Sequence, residues 1–151
     1  YKLLQLKHPM EIKAKITYIR EIQPGETVGY GRTFTAKSIR KIATLPIGYA
    51  DGYPRRFSNR FSVIVKGQKA SIVGFICMDQ MMIDVTGLSV EMGDVVTLLG
   101  KDGREEITVE DFAAAYETSP YEILCLWAKR LPRVYIKEGE ITKVRDELLS
   151  L

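Results

Sequence analysis

A single histidine, His8, and two cysteines, Cys77 and Cys125, are all this sequence offers among the side chains that most often ligate zinc or pair as nucleophile and base. His8 lies at the N-terminal end, far from both thiols, so neither a metal-ligand spacing nor a Cys/His dyad can be read. Two cysteines are too few for a disulfide framework, and no secretory signal pattern precedes Tyr1, so the expected location is cytoplasmic. No apolar run approaches the roughly 18 residues that cross a bilayer, and no polybasic amphipathic stretch suggests a surface-bound one; no membrane partner is expected. Charge of one sign is also scarce. The net +3 is spread over Lys and Arg residues dispersed among Asp and Glu, which gives nucleic-acid binding no support. A glycine-rich phosphate loop and a nucleophile elbow are both missing.

What remains is an ordinary globular composition, 46% hydrophobic and 27% charged over 151 residues, which predicts one domain, 1–151, with one hydrophobic core. Ile12, Ala14, Ile16 and Tyr18 alternate with polar residues, predicting a half-buried strand over 10–22. Pro24-Gly25 marks a turn, after which 27–30 resumes an extended run, so a hairpin is expected. Further strands are predicted at 39–49, 61–66, 70–77, 81–85 and 95–100. Thr108 can cap a helix through Phe112 to Tyr116. Ser119-Pro120-Tyr121-Glu122 has a capping-box pattern and opens a second helix carrying Leu124, Trp127 and Ala128, ended by Pro132. Strands 133–137 and 140–144 around Glu138-Gly139 close the chain as a hairpin. The fold class is therefore mainly β, an antiparallel barrel-like domain with two short helices, a barrel being preferred to a sandwich.

Three segments put polar or aromatic residues beside glycines where a plain strand needs neither. In VGYGRTF (28–34), Tyr30 sits between Gly29 and Gly31, where close backbone approach leaves the phenol little cover. Such a phenol can act as acid or base if cationic neighbours or hydrogen bonds favour the phenolate, or it can simply pack a barrel mouth. In PIGYADGYPRR (46–56), Tyr49, Asp51 and Tyr53 would share one face if extended, although Asp51-Gly52 reads as a turn. With Arg55 and Arg56 they can orient a small anion or form a satisfied surface loop. In GFICMDQ (74–80), Cys77 reads best as a buried structural thiol. The residues alone lead to a β-domain with a tyrosine- and arginine-decorated surface.

These three segments, in this order and spacing, resemble the C-terminal domain of bacterial alanine racemases. The similarity extends to LKHPMEIKAKI, SPYEILC and RLPRVY, so it covers nearly the whole chain. It implies a second, N-terminal (β/α)₈ barrel, absent from this sequence, that binds pyridoxal 5'-phosphate through a lysine. It also implies a head-to-tail homodimer in which each β-domain reaches the partner's barrel. By the same resemblance, Tyr30 is one of two opposed acid/base groups and Tyr49 narrows the access to the site. Arg55 lines its corridor. The Met78 N–H holds the substrate carboxylate in a turn shared with Cys77 and Asp79, and Tyr121 touches the cofactor phosphate within its own subunit. The implied activity is interconversion of L- and D-alanine for peptidoglycan, with this segment alone inactive. Two alternatives stay open: a racemase acting on serine or more broadly, and a non-catalytic dimerisation or binding module of racemase descent.

Overall fold

The computed structural model describes residues 8–149; Leu6 and Lys7 of the LKHPMEIKAKI segment, and the outermost ends of the 1–151 domain, lie outside them. The chain runs β1 (Ile12–Lys15), β2 (Tyr18–Ile22), β3 (Thr27–Val28), β4 (Phe34–Thr35), β5 (Arg40–Leu45), β6 (Ser62–Val65), β7 (Gln68–Ile72), β8 (Met81–Asp84), β9 (Val95–Asp102) and β10 (Glu105–Ile107). Then come α1 (Val109–Tyr116), α2 (Pro120–Cys125), β11 (Arg133–Lys137) and β12 (Glu140–Arg145). The fold is mainly β with two short helices.

An eight-stranded antiparallel sheet has the order β1-β9-β6-β7-β8-β5-β2, with β10 added on β9. Its two edge strands are successive stretches of one backbone. The single strand expected over 10–22 is in fact two, because the Ile16 N–H donates to the Asp94 carbonyl and the next N–H, of Thr17, donates to the Thr44 carbonyl. The chain changes partners between neighbouring residues, so the two ends of the curled sheet, a half-barrel, are joined through Ile16-Thr17. Alternation alone could not reveal this corner, since Ile16 keeps the inward phase while the ladder changes sides.

The hairpin expected across Pro24-Gly25 does not form. β2 pairs with β5, and β3 pairs with β4 as a separate two-stranded ribbon. The ribbon explains a second departure: there are two cores. Ala43, Leu45, Met81 and Ile83 face the large interior cluster, while the intervening Ile42 and Met82 join Ile22, Val28, Ala36 and Val73 on the outer face. The period of two along β5 and β8 makes both faces apolar, and the ribbon covers the outer one.

Thr108 caps α1 as expected: its Oγ1 accepts from the Asp111 N–H at 3.1 Å and Asp111 Oδ2 accepts from the Thr108 N–H at 2.8 Å. Ser119 precedes α2 with Pro120 at the first helical position, but its side chain makes no capping bond and Glu122 instead accepts from the Thr118 hydroxyl. α2 stops at Cys125, short of Trp127 and Ala128. The Ala128 N–H turns to the Asp51 carbonyl at 3.0 Å, and this tertiary bond takes the chain out of the helix. β11 and β12 form the closing hairpin, a sheet of their own apart from the barrel.

Candidate functional site

Tyr30 stands at the tip of the β3–β4 ribbon, in a tight turn over Tyr30–Arg32 and not on a strand. Gly29 has φ 71° and ψ −177°, a conformation essentially reserved for glycine. A Cβ there would stand 2.9 Å from Met82 Cε. The turn is thus pressed onto the outer face of β8 while the phenol, 75% exposed, projects from it. Asn59 fixes the ribbon from the side: its Nδ2 donates to Thr33 Oγ1 at 3.0 Å and its Oδ1 accepts from the Gly74 N–H at 2.7 Å.

Facing Tyr30 are the two other glycine-bearing segments, which leave the barrel as turns and not as the strand ends predicted for Tyr49 and Cys77. The Tyr49 N–H donates to the Cys77 carbonyl and the Ala50 N–H to the Met78 carbonyl, each at 3.0 Å. Asp51 is buried, 5% exposed, and its Oδ2 accepts from the Gly48 N–H at 2.8 Å. Ser58 Oγ accepts from the Ile76 N–H at 3.0 Å and donates to the Arg55 carbonyl at 2.6 Å, which ties the arginine turn to the same loop. The N–H of Met78 enters none of these bonds.

The result is a cleft of about 830 Å³ lined by Tyr30, Tyr49, Arg55, Cys77 and Met78 together with Phe75 and Tyr116. Five residues predicted from the sequence meet here. Arg55 lies with its guanidinium carbon 4.5 Å from the centroid of the Phe75 ring, a cation–π contact that holds the charge at the cleft wall. Cys77 is buried, and its thiol is 3.5 Å from the Phe75 carbonyl oxygen.

Four other predicted residues are placed differently: Tyr53 backs the cleft from the core, and Asp79, Tyr121 and Arg56 do not line it. Asp79 follows the turn and is bound by Arg130, whose Nη2 donates to it at 2.6 Å. Tyr53 does not share a face with Tyr49; it is wholly buried, edge-on to Phe57 and Phe112, and burial pushes its phenol pKa up. Tyr121 sits on α2, 81% exposed, beside a separate apolar groove formed with Pro9, Met10 and Leu124. Arg56 turns away to pair with Glu117.

Asn59, Ser58 and Arg130 were not legible as site residues. Arg130 pairs with Asp51 across 79 positions and with Asp79 across 51, and no local pattern marks so distant a contact. Hydrogen bonds to these two carboxylates raise the Arg130 pKa further, keeping it a fixed cation. Among the described residues no three His, Cys, Asp or Glu side chains gather where they could hold a metal ion, and no helix is long and apolar enough to cross a membrane.

Fold and cleft define a class: a curled β-domain that presents Tyr30, Tyr49 and Met78 to solvent from turns. The family model described as alanine racemase, C-terminal domain, matches residues 9–135, and the chain belongs to that family. It is 46% identical over 144 residues to alanine racemase 1 of Clostridium acetobutylicum, an alignment that takes in 95% of this chain and 37% of that protein. Among solved structures it resembles the alanine racemase of Bacillus anthracis with bound L-Ala-P, with TM-score 0.89, 35% identity, and coverage of 93% of this chain and 36% of that one. It also resembles the alanine racemase of Bartonella henselae with covalently bound pyridoxal phosphate, with TM-score 0.77, 37% identity and coverage of 86% and 37%. The chain spans well under half the length of the proteins it matches.

Proposed function

We propose that this chain, over 1–151, is the C-terminal half-site donor of a cytoplasmic, homodimeric alanine racemase that supplies D-alanine for peptidoglycan. The observation that carries the reading is the Tyr30 phenol, raised on a turn that only glycine can make and open toward the cleft that holds Tyr49, Arg55 and Met78.

Racemisation removes the α-proton from one face of an amino acid and returns a proton to the other, so two proton-carrying groups must flank the carbon. Tyr30 Oη is the group this chain offers; its exposure suits a phenol that works in a site completed by another domain, with a lysine of the partner's barrel opposite. The Met78 N–H and the Arg55 guanidinium suit the substrate's carboxylate, the first as a donor, the second as a cation along the approach. Tyr49, on the turn bonded to Cys77 and Met78, narrows that approach. Pyridoxal 5'-phosphate, when bound, absorbs the negative charge left at the α-carbon. Tyr121 fits it as a single exposed O–H donor, enough to add one contact to a phosphate and too little to hold the cofactor, whose anchoring belongs to the barrel.

The test is the full-length protein with Tyr30→Phe, which keeps the ring and removes the proton-carrying oxygen. Racemisation should fall at least about a hundredfold in both directions, the lower end for one acid/base group. In deuterated solvent the variant should still exchange the α-proton of D-alanine, through the lysine, and lose that of L-alanine. Near-normal racemisation, or equal residual exchange of both enantiomers, refutes the assignment.

A further inference from the structure

The segment between α2 and β11 carries one side chain that reaches both turns of the cleft. Arg130 Nε donates to Asp51 Oδ1 at 2.7 Å, and its Nη2 donates to Asp79 Oδ1 at 2.6 Å. The two carboxylates belong to different turns. Asp51 closes the Tyr49 turn by accepting the Gly48 N–H, and its own carbonyl accepts from the Ala128 N–H, so the segment bearing Arg130 is fastened to the turn twice. Asp79 directly follows Met78. Its side chain is otherwise 61% exposed, so Arg130 is what orders it.

We propose that Arg130 is a positioning residue for the amino-acid carboxylate: by bridging Asp51 and Asp79 it sets the Met78 turn against the Tyr49 turn and neutralises the acid beside the receiving N–H. The inference rests on the racemase reading and deepens it. The backbone bonds from Tyr49 and Ala50 to Cys77 and Met78 join the turns on one side only, and without the guanidinium the opposite side has no tie through these acids. An unpaired Asp79 would also repel an incoming carboxylate at close range, where Coulomb energies are several times those in bulk water. A guanidinium presents its Nε and Nη2 donors in one rigid fork; an ammonium is a point charge that cannot hold both acids in that geometry.

The experiment uses the full-length holoenzyme with Arg130→Lys, Arg130→Gln and the double variant Arg130→Gln/Asp79→Asn. KM for alanine should rise about tenfold in Arg130→Lys, which can hold only one of the two acids, and at least as far in Arg130→Gln, which leaves both unpaired, while kcat stays within about threefold. Cofactor absorbance per subunit should be unchanged. The double variant should recover part of the KM, because it removes the repelling charge. Unchanged KM in Arg130→Lys, or a fall in kcat that follows lost cofactor or lost folded protein with KM unmoved, overturns the inference. If Arg130→Gln does not fold, the Arg130→Lys split between KM and kcat decides alone. Failure of the racemase reading is distinct, since the unmodified holoenzyme would then not racemise alanine at all.

Discussion

A Cβ built on Gly48 would stand 2.2 Å from the carbonyl oxygen of Cys77. The backbone of Gly48 is extended, at φ −149°, so the requirement is one of space and not of conformation. The Tyr49 and Met78 turns can be joined by hydrogen bonds only because nothing projects between them.

Gly48→Ala should therefore force the two turns apart. The expected loss is about 1–3 kcal/mol, the usual range for overpacking a tight contact, with a lower Tm in thermal unfolding of this chain. In the full-length protein the same change should raise KM for alanine. An unaltered Tm would mean that the loops yield without cost.

Asn59→Ala should loosen the ribbon that carries Tyr30. It removes a bond to Thr33 and another to Gly74, and leaves alanine at φ 57°, in the left-handed region. Two bonds at about 1 kcal/mol each and a conformational cost of about 1–2 kcal/mol give a loss of roughly 3–4 kcal/mol by denaturant titration. Asn59→Asp keeps the acceptor for Gly74 and should cost less.

Tyr121→Phe should leave the stability of this chain unchanged, because the phenol is exposed and the groove beside it is apolar. In the full-length protein it should weaken retention of pyridoxal 5'-phosphate by about 1–3 kcal/mol, the worth of a charge-assisted hydrogen bond. Cofactor titration checks this, and equal affinity in both proteins would remove Tyr121 from the site.

Asp94 accepts from Lys66 at 2.7 Å and from the Glu91 N–H at 2.8 Å, which lower its pKa, the Lys66 bond most. A carboxyl whose pKa is depressed on folding contributes stability that is complete above its unfolded pKa, about 3.9, and is lost as pH falls toward the folded value. Asp94→Asn should therefore be less stable at neutral pH and should flatten the decline on the acid side. Parallel pH–stability curves for the two proteins would contradict it.

The strands of the barrel were legible where a short apolar run lay between turn residues, as in β6 and β8, and so were the Thr108 cap and the closing hairpin at Glu138-Gly139. The sequence missed the corner at Ile16-Thr17, because a strand that changes partners keeps its alternation. It placed Tyr30 and Tyr49 at strand ends, whereas glycine at positive φ and a buried Asp51 make turns of both segments. It ran α2 on through Trp127 and Ala128 toward Pro132, since helical spacing continues past the point where Ala128 turns to Asp51.

What the sequence by itself determined is local: strand periodicity, caps, turn residues, and the three glycine-bearing motifs whose order resembles one family. These depend on neighbours within a few positions, and propensity and pattern act at that range. Only the tertiary structure decided that Tyr30, Tyr49, Arg55, Cys77 and Met78 share one cleft, that Tyr121 stands apart from it, and that Arg130 fastens its turns. Those relations are formed when the sheet curls and brings together residues as distant as Asp51 and Arg130, 79 positions apart, where no spacing rule reaches and where packing and charge pairing select the partners.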